Sequence, residues 1–550
     1  MSIGKHDTAP VLIAGGGPVG MTLALELAHH GVRSILVERN ASTTRHPKMD
    51  LTNGRSMELY RRLGLAAKLR EVGVPRGNPF DIVWATSGTG HLLHRFAYPS
   101  AVEWERRAAQ RNDGSFTREA PMRVSQIVLE PVLKAAIDAH PLVDVRFGWA
   151  FESLEQDADG VTAVLRRSGS DERTTVRSSW LAGCDGGGSA VRTQLGIALN
   201  GQHAVGYVYM VHFRSKARDL LARFGIAWHL QTGAGTLVAQ DDGDTWTLHV
   251  PMPPTFNPDT DKAGLSPGEL LRTFAGTDVP HEVLVANLWT PHLVLAERYR
   301  LGRVFLAGDS AHQFIPTGGY GMNTGVGDAV DLGWKLAASI NGWAGPALLD
   351  SYEQERRPIA QQNMDAAGRN FAVRVQIAEA FFAAMADGPL EEPGESGEQR
   401  RDRLAKRIAE LGNAENESWG IEHGYRYADS PVIASESAPA PAFDPLRCVP
   451  STAPGSRLPH VFLGEDRALY DELGDGLSLL VLGDHDVGRF VGAAEKMRIP
   501  LSVVHLKPGP HLDVLEQPLI LVRPDHHVAW RGAAAPDSVE RVLGVAAGRH

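Results

Sequence analysis

Val11-Leu12-Ile13-Ala14-Gly15-Gly16-Gly17-Pro18-Val19-Gly20 is the stretch from which the fold is read. Four apolar residues make a short buried strand, and the glycines then turn the chain into a helix. Val19, Leu23 and Leu27, with Ala24 and Ala28, recur at three and four residues and give that helix its apolar face. Gly31 stops it, and Ser34-Ile35-Leu36-Val37 forms a second strand that ends at Glu38. This βαβ unit predicts a parallel sheet covered on both faces. Gly15, Gly17 and Gly20 let the backbone approach a pyrophosphate at the start of a helix that opens on Pro18, while Glu38 can accept hydrogen bonds from ribose hydroxyls. The pattern points to a dinucleotide and leaves NAD and FAD open.

The rest of the composition narrows the class. A chain of 550 residues holds roughly two to four compact units. Hydrophobic residues at 43% and charged residues at 22% exclude wholesale disorder. A formal charge of −10 argues against a broad electrostatic hold on nucleic acid. The two cysteines, Cys184 and Cys448, are too far apart for a CxxC pair and too few for a cysteine zinc site or a disulfide framework. The start, Met1-Ser2-Ile3-Gly4-Lys5-His6-Asp7, lacks a leader peptide's apolar region, and no run of about 18 apolar residues follows. A soluble cytoplasmic protein without membrane partners is expected. No metal site is expected either: the histidines do not cluster, and His281-Glu282 has Val285 where a zincin helix needs its second ligand. Asp309, Ser310 and His312 are crowded into one turn without a Gly-x-Ser-x-Gly elbow, so they do not make a hydrolase triad.

Arg123 to Ala139 reads as a helix, 143–167 as strands, and 200–300 as an antiparallel sheet rich in Val, Thr, Trp, Tyr and His. A helical pattern runs from Gly327 to about Ala380, while 382–400 and 429–459 look like linkers or surface loops. Near the C-terminus, Leu477–Leu482, Val487–Met497, Leu501–Leu506 and a hairpin from Leu519 to Trp530 follow a thioredoxin-like β-α-β-β order. With no cysteine after Cys448, that unit cannot do dithiol chemistry. The expected division is 1–190 with an excursion near 80–118, then 191–295, 296–415 and 416–550.

Two later junctions choose the cofactor. Asp185-Gly186-x-x-Ser189-x-x-Arg192 and Arg303-x-x-x-x-Gly308-Asp309-x-x-His312 match, in order and spacing, fingerprints of flavoprotein hydroxylases. Pro316-Thr317-Gly318-Gly319-Tyr320-Gly321-Met322-Asn323, Glu355-Arg356-Arg357-Pro358 and Leu521-Val522-Arg523-Pro524-Asp525 add to the match. The chain resembles the class A FAD-dependent aromatic monooxygenases of the p-hydroxybenzoate and phenol hydroxylase superfamily, in their RebC-like branch. The resemblance implies an α/β fold with a Rossmann-like FAD-binding domain, an antiparallel-sheet substrate domain and the thioredoxin-like C-terminal domain. It implies FAD, with NADPH or NADH and O₂ as co-substrates, a flavin C4a-hydroperoxide, and oxygen transfer to a small aromatic molecule.

By that resemblance, Asp309 meets the ribityl chain, and Pro316, Gly319, Gly321, Met322 and Asn323 start a helix facing the flavin ring. Arg123 and Gln126, placed one helical turn apart, touch the pyrophosphate and ribityl region. Arg39 follows Glu38 in the cofactor set, and Arg45 lies by the isoalloxazine. Asp185 is tied to FAD and to the pyridine nucleotide, or else caps the turn that follows it. Arg45 and Tyr320 are the catalytic candidates; no catalytic base stands out. Tyr207, Tyr209, His212, Trp228, His229, Trp246 and Tyr320 either line the substrate cavity or belong to the core, where aromatic residues of strands usually sit. The substrate is a simple phenol or a polycyclic natural-product-like aromatic. A flavin oxidase or dehydrogenase, or a flavoprotein that only binds an aromatic ligand, is the alternative; a halogenase's Trp-x-Trp-x-Ile is absent. The C-terminal unit is expected to be structural or to make a homodimer contact.

Overall fold

The computed structural model describes residues 7–436, 439–464 and 467–549, so the Met1–His6 part of the N-terminal reading lies outside it. The first unit is built on strand β1 (Asp7–Ala14), helix α1 (Pro18–His29) and strand β2 (Ser34–Glu38). Strand β3 (Arg173–Gly183) and strand β4 (Val304–Leu306) return to the same sheet much later in the chain. In the order β4, β3, β1, β2 and Val143–Phe147 these strands are parallel, with Leu12 opposite both Ile35 and Leu181. Val11, Leu12 and Ile13 are fully buried, as both faces of this sheet are covered. The carboxyl ends of β1, β2, β3 and β4 converge on one edge, where ligands of open α/β sheets bind.

Two long helices follow, α2 (Tyr320–Ile340) and α3 (Pro346–Ala386). The single helical pattern expected from Gly327 to Ala380 is therefore broken at 341–345, where α2 ends and Pro346 starts the next helix. Helix α2 packs on α1 through glycines: a Cβ on Gly325 would stand 2.5 Å from Val19, and one on Gly333 2.4 Å from Glu26. That close approach brings the first turns of both helices to the same edge of the sheet. The expected loop at 382–400 is mostly helix, since α3 runs to Ala386 and a further helix spans Glu395–Leu411. No helix among the described residues is long and apolar enough to cross a membrane.

The second sheet has seven strands, in the order Glu282–Trp289, Val208–Arg214, Thr245–Pro251, Gly235–Ala239, His229–Thr232, Ile82–Ala85 and Leu92–Phe96. Its side chains alternate between two very different faces. Val211, Phe213, Leu230, Leu237, Trp246 and Leu248 pack with Leu271 and Phe274 of the helix Pro267–Ala275 as an apolar core. On the other face one cross-strand row reads Asn287, Met210, His249, Thr236, Gln231 and Trp84. The adjacent row carries His212, Thr247 and His229.

The C-terminal unit has four strands, Leu501–Leu506, Leu477–Leu482, Leu519–Val522 and Val528–Gly532 in spatial order, with a helix Gly488–Met497 between the first two in sequence. A final helix, Val539–Ala546, is an addition to the order read from the sequence. This unit shares a core with the long helices: Trp334, Trp343 and Leu348 pack with Leu477, Phe490 and Leu543.

Candidate active site

The site begins at the turn from β1 to α1. Gly15 takes φ +111, and a Cβ there would strike the Cys184 carbonyl at 2.2 Å, so the turn has room for glycine only. Gly20 is equally constrained, its Cβ position lying 2.0 Å from the Gly15 carbonyl. Gly17 differs: nothing stands within 4 Å of where its Cβ would be. The protein's own packing does not require a glycine at Gly17. Its bare backbone, at the N-cap of a helix that opens on Pro18, leaves a cradle for an anion. The Glu38 carboxylate accepts from the Gly16 amide at 2.8 Å and from the Asn40 amide at 2.9 Å.

Asp309 lies in a short 3₁₀ turn directly after β4. Its side chain is open to the cleft and takes no hydrogen bond from a described residue. Even so, the surrounding protein raises its pKa by burial, with opposing pulls from His312 and Lys48. The turn is held from behind. Gly308, at φ +63, donates its amide to Asp328 Oδ2 at 3.1 Å. That carboxylate also accepts from His312 Nε2 at 2.8 Å and from Arg356 Nε at 2.8 Å. The first turn of α2 supplies the remaining wall. Gly321 is a second position where an added methyl would find nothing within 4 Å, whereas Gly319 packs on Leu51.

Several expected contacts are placed elsewhere. Arg123 is not one turn before Gln126: it belongs to a two-residue strand paired with Leu51–Thr52, and the helix starts at Gln126 after Ser125. Its guanidinium turns away from the dinucleotide edge and donates to the carbonyls of Pro79, Ile226, Ala227 and Ala239. Burial pushes its pKa down to about 10. Gln126 donates to Glu130 at 2.6 Å. Asp185 accepts from the Ser189 hydroxyl at 2.5 Å and the Val191 amide at 3.1 Å, which caps the following turn. Asn323 ties the start of α2 to its neighbours, donating to the Leu51 and Gly319 carbonyls and accepting from Asn53 and Ser56.

Tyr320, a catalytic candidate in the sequence, is buried among Ala366, Ala367 and Ile421, and its hydroxyl accepts from Asn370 at 3.1 Å. Burial pushes its pKa up to about 12, which leaves it a poor base. Met322 is half-buried on α2, Pro316 is exposed while its carbonyl accepts from the Gly319 amide, and Arg39 and Arg45 are exposed beyond β2.

Beyond the first turn of α2 the edge opens toward the polar face of the second sheet. Asp50 stands at the junction. Its Oδ2 accepts from Trp228 Nε1 at 2.8 Å and from His229 Nε2 at 3.2 Å. His212 bonds Thr247 on the same face. Tyr209 and Trp246, by contrast, lie in the apolar core on the opposite face, because strand alternation turns them away. Tyr207 packs against Phe256. On the polar face, His229 Nδ1, Gln231 Nε2, His249 Nδ1 and Asn287 Oδ1 are buried without a protein partner. Burial lowers the His249 pKa to about 4, so it is neutral near pH 7.

Sequence reading missed Asp50, Asp328 and the role of Arg356. Asp50 is the only acid between Glu38 and Glu58, which is a usable though faint signal. Arg356 sits inside a quoted motif and Asp328 in the stretch read as helix, but nothing in a linear pattern says that they meet across α2 and α3.

Known proteins share this fold. A family described as "FAD binding domain" matches residues 8–367, and one described as "Aromatic-ring hydroxylase, C-terminal" matches residues 451–549. The FAD-dependent monooxygenase apdD of Emericella nidulans is 38% identical, over 98% of this chain and 90% of its own. The rebeccamycin biosynthetic enzyme RebC, solved with reduced flavin, is 33% identical with a TM-score of 0.87, over 99% of each chain. Aklavinone-11 hydroxylase, solved with FAD and aklavinone, is 31% identical with a TM-score of 0.77, over 99% of this chain and 100% of its own. The chain is thus a flavin-dependent aromatic monooxygenase and belongs to the FAD-binding aromatic-ring hydroxylase family.

Proposed function

We propose that the chain hydroxylates a polyoxygenated, multi-ring aromatic molecule, with FAD as resident cofactor, NADPH or NADH as electron donor and O₂ as oxygen source. The residues present fit FAD. Gly15, Gly17, Pro18 and Gly20 would hold the pyrophosphate at the start of α1, Glu38 the ribose and Asp309 the ribityl chain. The ring would lie by Pro316, Gly319, Gly321 and Met322, with Asn323 fixing that turn and Gln126 flanking it. Asp185 serves this site by capping its own turn, and the exposed Arg39 and Arg45 are the cations nearest the cradle in sequence that remain for nucleotide charge. When bound and reduced, the flavin supplies an electrophilic oxygen derived from O₂. The protein's part is to bind, orient and keep water out.

One observation carries the substrate class. The row from Asn287 through His249 to Gln231 crosses five adjacent strands and leaves a polar atom unpaired on each of these three side chains. Four strand spacings amount to roughly 19 Å, far longer than a single phenol ring. Buried polar atoms without partners are costly unless something supplies the missing hydrogen bonds. A flat ligand of several rings, with oxygens along its edge, would do so; one phenol would leave most of the row unmet. RebC and aklavinone-11 hydroxylase, similar over the full length, support the same class.

The test is a panel of monocyclic phenols and polycyclic hydroxyquinones offered to the yellow holoenzyme with NADH or NADPH. Expected are faster flavin reduction and a one-oxygen mass gain for polycyclic members. Oxygenation confined to the monocyclic phenols would overturn the substrate class.

A further inference from the structure

We infer that the cleft between the strap at 441–451 and the residues leading into the C-terminal unit is a second binding site, and that it takes a phosphate group, free or carried as a monoester. The flavin and the aromatic substrate make no use of this cleft.

The fold builds it from three segments. A linker is the expected form of 429–459, but part of that stretch is pressed against the helix Trp419–His423. A Cβ on Gly420 would stand 1.7 Å from the Asp444 carbonyl, so strap and helix cross in direct backbone contact. The Ile421 amide donates to the Pro445 carbonyl at 3.2 Å and fixes the crossing. Just past the helix, Arg426 pairs with Ser456 through an isolated antiparallel bridge, which sets Arg426 beside the segment that carries Arg457. Between these segments lies a cleft with an inner space of about 30 Å³. That is room for about two waters, or for one small oxyanion.

Its lining is rich in cations whose donors are not used up. Arg426, Arg447 and Arg457 stand there against one described acid, Asp444. Asp444 is already engaged, since its Oδ1 accepts from the Leu446 amide at 2.8 Å. Arg457 is buried, at 3% exposure, and gives Nε and Nη2 to Glu58, which leaves Nη1 without a described acceptor. Glu58 is itself shared, because Arg55 donates to it at 3.2 Å and the Thr117 hydroxyl donates to it as well. Arg426 commits only Nε, to the Pro454 carbonyl at 2.7 Å. Arg447 is exposed and has no described partner, and the Ser456 hydroxyl donates to no described residue. His423 lines the same cleft, buried at 2% exposure with neither ring nitrogen hydrogen-bonded.

This concentration of positive charge occurs in a chain whose formal charge is −10. Guanidinium forks match the oxygens of carboxylate and phosphate, and the match is charge-assisted. One or two forks saturate the two oxygens of a flat carboxylate. Three guanidiniums from three segments, with a serine hydroxyl beside them, suit the larger set of acceptors on a tetrahedral dianion.

Cys448 gives the test a local reporter. It lines the cleft and is half-buried, whereas Cys184 is buried behind the Gly15 turn. The experiment uses the FAD-loaded full chain without pyridine nucleotide, so that the pyrophosphate cradle is already filled. Alkylation of each cysteine by iodoacetamide is followed by peptide mass spectrometry at about pH 8.5, because the thiolate is the reactive form and burial raises the Cys448 pKa. At about 10 mM inorganic phosphate and a Kd of about 1 mM, mass action should slow the Cys448 reaction about tenfold. Chloride at equal ionic strength should not. Arg447→Ala, at an exposed side chain without described partners, should keep the thermal midpoint and flavin spectrum of wild type yet lose most of the protection. Arg426→Ala should weaken the protection too. Phenyl phosphate forms the second arm: protection equal to that by phosphate means a site open to monoesters, and protection by phosphate alone means a site for the free ion. Failure of both phosphates to protect, equal protection by chloride, or full protection in both arginine variants overturns the assignment.

Discussion

The molecule treats its acids in two opposite ways. At the flavin edge, Asp309 takes no hydrogen bond from a described residue although burial raises its pKa. At the seam with the C-terminal unit, Asp331, Glu355 and Asp525 are all paired with cations. Arg523 donates to Glu355 at 2.6 and 2.8 Å, to Asp331 at 3.0 Å and to Asp525 at 2.6 and 3.1 Å. Lys335 adds bonds to Asp331 at 2.8 Å and Glu355 at 2.6 Å. Three carboxylates face two cations, and burial raises the Asp331 pKa well above the usual carboxylate range, against the pull of Lys335 and Arg523. Asp331, Glu355 and Asp525 are close enough together to suggest a metal site, but the two cations fill their centre. An acid whose partners are all supplied by the protein is structural, while Asp309, left open beside helix N-termini, is the one proposed to meet the cofactor. The two regions are also joined: Arg356 donates to Asp328 under the Asp309 turn and to the Tyr427 hydroxyl, whose ring stacks on His527.

The comparison breaks most visibly at Arg523. Arg523→Met would leave three carboxylates around Lys335 alone, and stranding a buried charge of this kind costs about 3–5 kcal/mol. A clear drop in the urea midpoint is expected, with the C-terminal unit loosening first in hydrogen exchange. An unchanged midpoint would mean that the seam contributes little and that the unit is a loosely attached appendage.

The open side should behave in the reverse manner. On the proposed reading Asp309→Ala would remove charge-assisted bonds to the cofactor, worth about 1.5–3 kcal/mol, so FAD should bind roughly 10- to 100-fold more weakly. The flavin-free protein should lose no stability, because the carboxylate it gives up is open to the cleft and takes no hydrogen bond from a described residue. Gly17→Ala should show the same split, since its added methyl meets only open space in the flavin-free chain. Gly20→Ala, placed against the Gly15 carbonyl, should destabilise both forms. Flavin fluorescence titration beside thermal unfolding of the flavin-free protein separates these outcomes.

Much of the open side was legible in the sequence because it is made of local patterns. The strand, the glycine turn, Pro18 and Glu38 fall within a few dozen residues, and each needs its neighbours only. Asp309 is likewise fixed by the strand that precedes it. The seam was not legible, because Arg523 meets Asp331 and Glu355 from residues far along the chain, and no spacing announces that encounter. Arg123 failed for a related reason: helical periodicity ran through it, but pairing with Leu51–Thr52 drew it into a strand and turned its guanidinium toward the second sheet. Tyr209 and Trp246 were indistinguishable from His212 by residue type. Only the register shows which face each one takes.

A smaller, graded contrast lies in acid. His460 is buried at the seam with both ring nitrogens unpaired, and its pKa is pushed down to about 3, by burial first, with Arg457 reinforcing the shift and Glu58 opposing it. His527 behaves alike, at about 3. In the unfolded chain each would titrate near 6.5. Between those values the unfolded state binds more protons, so the stability they contribute is complete above about pH 6.5 and is lost as pH falls toward 3. For one such histidine the loss between pH 7 and pH 5 is roughly 2 kcal/mol. Asp309 has the opposite sign: its raised pKa makes the folded state the better proton binder, so its cost appears as pH rises through that value. Urea unfolding of the flavin-free protein at pH 7, 6 and 5 should therefore show a steep loss in acid. His460→Gln should make that loss shallower. If His460→Gln leaves the slope unchanged, the seam's sensitivity to acid resides in its paired carboxylates rather than in its neutral histidines.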